Sequence, residues 1–157
     1  LSEDGRYRYY LTRRLSMAER MVAFVGLNPS TADAAQDDPT IRKCVGFASR
    51  WGFDWLLMAN LYAWRSTDPA ALKTLDDLTA VGPENQEMLT WVTQKAELVI
   101  AAWGAHPLCP YADQLAQRIL GLQHARCLRL TKKTRQPEHP LYVPYSVRPI
   151  MTKEAAR

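Results

Sequence analysis

The residues able to do chemistry gather in four strings. "GLNPSTADAAQDDPT" follows an apolar run and carries Asn28, Ser30, Thr31, Asp33, Asp37 and Asp38. "ANLYAWRSTDP" brings Asn60 with Tyr62 and Trp64, and "AAWGAHP" brings His106. "TKKTRQPEHPLYVPYS" carries Lys132, Lys133, Arg135 and His139, followed by Leu141 and Tyr142. Amides can orient water and offer both a donor and an acceptor, carboxylates accept protons, and imidazole donates hydrogen bonds near neutral pH. The missing patterns narrow the chemistry. No GxGxxG follows the first strand and no GxxxxGK[ST] occurs, which argues against dinucleotide and P-loop sites. Ser30 lies beside a strand end, but there is no GxSxG elbow and no Ser-His-Asp order.

These strings need elements to position them. "RYRYYLTRRL" (6–15) reads as an extended edge strand, and "MVAFVGL" (21–27) as a buried one. Their short connection predicts an antiparallel pair. Asp38-Pro39-Thr40 starts a helix, with Asp38 as N-cap and Pro39 at the first helical position. Ile41, Cys44, Val45 and Ala48 give it one apolar face as far as Trp51, and Gly52 ends it. "WLLMANL" (55–61), "LVIAAW" (98–103) and "RCLRL" (126–130) read as further buried strands. Helices are expected over 84–95 and 110–120. The proline-rich tail from Thr131 reads as loop, with at most a short terminal helix. Strands alternating with helices imply an α/β fold with a parallel sheet covered on both faces. The expected architecture is a three-layer αβα sandwich of about four parallel strands plus an N-terminal antiparallel strand. Residues 1–157 are expected to form a single domain. In such a sheet ligands bind beyond the carboxyl ends of the strands, where all four strings fall.

Charge and cysteines bound the partners. The net charge of +4 is mild and permits an anionic partner without requiring one. The basic residues cluster as Arg6, Arg8, Arg13 and Arg14, then Lys132, Lys133 and Arg135, a pattern compatible with a nucleic-acid track beside the site. Cys44, Cys109 and Cys127 make no CxxC or Cys/His spacing, so no metal site and no disulfide framework is expected. No apolar run approaches the ~20 residues of a membrane span. No signal-peptide pattern is seen, and a cytoplasmic location is expected.

Taken together, the four strings resemble the uracil-DNA glycosylase superfamily. Gly26-Leu27-Asn28-Pro29-Ser30 looks like the Gly-Ile-Asn-Pro-Gly loop of its mismatch-specific branch. "MANLYAWRSTDP" is similar to the Thr-Asn-(apolar)-x-Lys-x-Arg-Pro segment of the thermophilic branch, and "EHPLYVPYS" to the His-Pro-Ser-Pro loop. "LVIAAWGAHP" stands where the superfamily has an apolar strand ending in a small-residue turn. Ser30 replaces a glycine, no proline follows Arg65, and His-Pro-Leu-Tyr replaces His-Pro-Ser-Pro. More closely, residues 6–145 resemble a bacterial family known as a domain of unknown function, with the strings "LNPSTAD", "DDPT", "GPEN" and "WGAH".

The glycosylase resemblance implies a DNA glycosylase that removes a damaged or modified pyrimidine, in repair or phage defence. Its partner would be DNA, with no cofactor, no membrane and no obligate protein partner. Asn28 would hold the attacking water, with Asp33 and Asp37 as alternative carboxylate bases; Asp38 is set aside because N-capping already accounts for it. Asn60 would read the flipped base, with Leu27, Tyr62 and Trp64 around it. His139 would stabilise the leaving base, in competition with His106. Leu141 and Tyr142 would form an apolar wedge in the emptied base stack. Ser30, Thr31, Lys132, Lys133 and Arg135 would hold phosphates. The alternatives are a binding module of the same fold without chemistry, and a glycosidase of free nucleotides.

Overall fold

The computed structural model describes residues 1–30, 36–106, 114–117 and 125–152. Its frame is a six-stranded sheet. The strands are β1 (Tyr10–Arg14), β2 (Met21–Gly26), β3 (Trp55–Asn60), β4 (Leu98–Ala101), β5 (Arg126–Cys127) and β6 (Ile150–Met151), in the spatial order β1-β3-β2-β4-β5-β6. The central four run parallel, and β1 and β6 are antiparallel edges.

β2 and β3 lie at the centre. Val22 and Phe24 face one apolar cluster, Ala23 and Val25 the other. Leu56 and Met58 of β3 are divided from Leu57 and Ala59 in the same way. Strands buried on both faces read as continuous apolar runs, which is why "MVAFVG" and "WLLMAN" show little alternation.

The face carrying Val22 and Phe24 is covered by α1 (Pro39–Arg50). Asp38 caps this helix by accepting from the Ile41 amide at 2.9 Å, and Pro39 has no N–H to lose at that position. Ile41, Cys44, Phe47 and Ala48 recur at helical spacing and are buried. Full burial of side chains such as Ile41 and Phe47 contributes about 1.5–3 kcal/mol each. Gly52, at φ 75°, lets the chain leave the helix toward β3. The opposite face is covered by α2 (Asp77–Val81) and α3 (Asn85–Lys95), through Ala80, Leu89 and Val92.

Several expectations are corrected. β1 pairs with β3 and not with β2, the strand that follows it: Tyr10 lies opposite Ala59 and Arg14 opposite Trp55. Both sides of β2 are taken by the parallel strands β3 and β4, so β1 must add at the outer edge of β3. The stretch 62–81, expected as loop, holds a 3-10 turn over Pro69–Thr74 as well as α2. β5 is two residues long; Leu130 makes only an isolated bridge to Pro137. The tail contains a 3-10 turn over Pro140–Tyr142 and the edge strand β6. Of the helix expected over 110–120, the described residues 114–117 are helical; the expected terminal helix lies outside the described residues.

Candidate functional site

β2, β3 and β4 all end at one margin of the sheet, and β1, being antiparallel, begins there. At this margin lies a cleft of about 490 Å³. Its walls bring together all four strings: Asn28 and Ser30, Asn60 and Ser66, Trp103 and His106, and His139 and Tyr142.

Asn28 follows β2 directly. Its amide nitrogen donates to the carbonyls of Ser66 (2.9 Å) and Pro29 (3.2 Å). Two carbonyl partners require the NH₂ end to face them, so the amide orientation is fixed and Oδ1 is left as the acceptor. The Ser66 amide in turn donates to the Pro29 carbonyl at 3.0 Å, tying the loop after β3 to the loop after β2.

Asn60 ends β3 and is 1% exposed. In the parallel register it lies opposite Gly26. A Cβ at Gly26 would stand 2.7 Å from Asn60 Oδ1 and 2.9 Å from Met58 Cε, so only glycine leaves room for this amide. The Asn60 backbone is held from below: Asn85, at the start of α3 and fully buried, donates through Nδ2 to the carbonyls of Asn60 (3.0 Å) and Leu61 (2.9 Å). Asn60 Nδ2 is buried with no hydrogen-bond partner. A buried unsatisfied donor costs about 1–3 kcal/mol, which a ligand acceptor would recover.

His139 enters from the tail, packed against the turn after β4. Gly104 has φ 78°, and a Cβ there would lie 3.3 Å from the His139 Cβ; its amide donates to Pro137 at 2.9 Å. His139 Nδ1 accepts from the Leu141 amide at 3.4 Å, which places the proton of the neutral ring on Nε2. Burial lowers its pKa below the ordinary value, partly offset by the charge of Asp38. A neutral imidazole with an Nε2–H donor is therefore the form present near neutral pH. His106 also lines the cleft, and burial, with Lys73, lowers its pKa as well.

Of the aspartates, Asp38 is the one that lines the cleft. It was set aside as an N-cap, but capping uses only Oδ1. Asp37 is turned away and paired with Arg13 at 2.7 Å, outside the cleft lining. Asp33 and Thr31 lie outside the described residues.

The aromatic residues around the cleft differ from those expected. Tyr62 is 5% exposed and belongs to the apolar core against α3, because β2–β3 pairing continues past the strand ends: Leu61 donates to Gly26 and Tyr62 to Leu27. Trp64 packs edge-on against Tyr7 at 5.4 Å, with Arg6 over its ring at 6.0 Å. Neither lines the cleft; Trp103 and Tyr142 do. Trp103 is buried and donates through Nε1 to Gln136 at 3.0 Å. Tyr142 is 72% exposed on the 3-10 turn after His139, with its ring 5.9 Å from the imidazole. Leu141 is beside it, partly exposed. Leu27 is nearly buried and also lines the cleft.

The basic residues separate as well. Arg8, read as one of a surface cluster, is 3% exposed and lines the cleft. Lys132, Lys133 and Arg135 lie exposed on the turn after Thr131, itself a cleft residue, with Arg135 at φ 55°. Glu138 lines the cleft and is bound to Arg129 at 2.5 Å. Cys44 and Cys127 are buried free thiols; burial raises both, Cys127 to about 11. Among the described residues, no group of three or more His, Cys, Asp or Glu could hold a metal ion, and no helix is long and apolar enough to cross a membrane.

The chain is thus an α/β protein with a polar cleft at the carboxyl ends of its parallel strands. Residues 8–141 match the family described as "Protein of unknown function (DUF1643)", and the chain belongs to that family. No curated protein and no solved structure matches it.

Proposed function

We propose that the protein is a DNA glycosylase that hydrolyses the N-glycosidic bond of a damaged or modified pyrimidine and leaves an abasic site. The observation that carries this reading is that Asn28, Asn60 and His139, three residues separated widely in sequence, line one cleft, with the Asn60 donor buried and unpartnered. The likeness of their strings to the uracil-DNA glycosylase superfamily supports the same reading. On this view the sheet between α1 and α2/α3 is that superfamily's three-layer sandwich.

The chemistry divides among these groups. Departure of the base leaves positive charge on the sugar and negative charge on the base. Asn28 Oδ1 orients water against C1′. Asp38, also in the cleft, takes the proton of that water as its oxygen bonds to carbon. Asn60 Nδ2 donates to a carbonyl of the flipped base, and the Nε2–H of His139 donates to the oxygen where charge develops. Tyr142, exposed beside the opening, fills the space the base vacates. Ser30 and the basic turn at Lys132, Lys133 and Arg135 contact phosphates. A role in repair or defence against modified phage DNA follows from the substrate class.

A second reading, a binding module without chemistry, is favoured by one observation: Asn28 and His139 each also hold local backbone, through Ser66 and Leu141. Duplex and single-stranded oligonucleotides carrying uracil, thymine mismatches and modified pyrimidines separate the two. Alkali-sensitive breaks that vanish in Asn28→Ala and His139→Ala support the glycosylase. Binding without breaks on every substrate supports the module, and activity confined to free nucleotides would replace both readings with a nucleotide glycosidase.

A further inference from the structure

We propose that Arg8 and Asn60 form an anion-holding subsite that receives the departing base in its negatively charged form. This deepens the glycosylase reading and rests on it.

The position follows from topology. β1 runs against its neighbours, so the chain entering it, and not its end, abuts the cleft. The Arg8 amide donates to the Ala63 carbonyl at 2.9 Å, which fixes the backbone there. The side chain is 3% exposed and yet lines the cleft, and it is the only lysine or arginine among the described lining residues. A guanidinium keeps its charge throughout the working pH range and has five donors and no acceptor, so it can hold a protein partner and still present N–H groups to a ligand. Burying such a charge is costly unless negative charge accompanies it. Two carboxylates line the same cleft: Asp38 commits one oxygen to the α1 cap, and Glu138 is held by Arg129. Asn60 adds a second buried group whose unpartnered atom is a donor. Donors gathered around one cavity suit an acceptor-rich, negatively charged group.

The reaction supplies such a group. When the C1′–N bond breaks, its electron pair leaves on the base, and a pyrimidine spreads that charge over the ring nitrogen and its carbonyl oxygens. Water bonds to C1′ and gives up a proton, and the base anion takes a proton from solvent after release. His139 is neutral and can donate a hydrogen bond but brings no charge. Arg8 is the fixed positive charge that the leaving group otherwise lacks.

The test compares wild type, Arg8→Gln and Arg8→Lys on duplexes holding uracil or the more acidic 5-fluorouracil, in single-turnover base release. It also measures binding of the two free bases from pH 6 to 9 by calorimetry, with circular dichroism to check folding. Arg8→Gln is expected to slow uracil release on the order of 10²–10³-fold, the scale of losing one charge-stabilising donor. The loss should shrink at least tenfold on 5-fluorouracil, and Arg8→Lys should recover part of it. Wild type should bind 5-fluorouracil more tightly as it ionises, and Arg8→Gln should lose that tightening. Equal losses on both bases, or free-base binding indifferent to ionisation, overturn the proposal. If no variant releases base, including wild type, the glycosylase reading fails for these substrates. The calorimetry then decides the subsite alone: Arg8-dependent anion binding sustains it, and its absence overturns it.

Discussion

Asp38 joins two roles that one substitution pair can pull apart. One oxygen caps α1 at Ile41, and the side chain also lines the cleft, near enough to His139 for its charge to act on the imidazole. Asp38→Ala removes the cap and the carboxylate together. Loss of an N-cap costs about 0.5–2 kcal/mol, which for a chain of this size lowers Tm by roughly 2–8 °C. Asn caps as well as Asp, so Asp38→Asn should melt within about 2 °C of wild type. Both variants lack the proton acceptor, and both should lose about 10²–10⁴-fold in single-turnover base release, the range of a general base. Thermal melts by circular dichroism and base release from an oligonucleotide read the two roles separately. Full activity in Asp38→Asn would refute the role of the carboxylate. An Asp38→Asn melt as low as that of Asp38→Ala would refute the equivalence of the caps.

Gly26→Ala should act through Asn60, since the new Cβ would stand 2.7 Å from its Oδ1; stability should fall by about 1–3 kcal/mol and base release should fall as far as in Asn60→Ala. His139 titrates below its ordinary value in the folded chain, so the unfolded chain binds more protons between that lowered value and about 6.5. The stability this group contributes is therefore complete above about pH 6.5 and declines below it, and urea midpoints of wild type should fall relative to His139→Gln between pH 6.5 and 5. Tyr142→Ala should leave stability within about 0.5 kcal/mol, because the ring is 72% exposed, while slowing base release from duplex at least tenfold and sparing single-stranded substrate.

What could be seen in the sequence was the end of each strand. Apolar runs broken by Asn28-Pro29 and by Asn60 marked where β2 and β3 stop, and the Asp38-Pro39 pair marked α1. The rule that open parallel sheets bind at carboxyl ends then placed the strings together, and the cleft lies there. Arg8 was missed because a strand's residues do not say which of its ends meets the site; that depends on β1 joining β3 antiparallel, a long-range choice. Asp38 was discounted by treating a cap as using a whole carboxylate, which has two oxygens. Tyr62 read as loop because Asn60 and the polar residues after Trp64 suggested a strand end, whereas backbone pairing to Leu27 carries it into the core. Asn85 gave no periodic signal. Its role as a brace under Asn60 exists only once α3 is packed on the sheet.

The most direct measurement is mass spectrometry of bases released from genomic DNAs of differing base modification, incubated with wild type and with Asn28→Ala/His139→Ala. The glycosylase account expects one pyrimidine, damaged or modified, to be released as the free base by wild type, leaving alkali-labile sites, and release to be lost in the double variant. Release undiminished in the double variant, or binding of such DNA with no base released from any of it, would contradict the account.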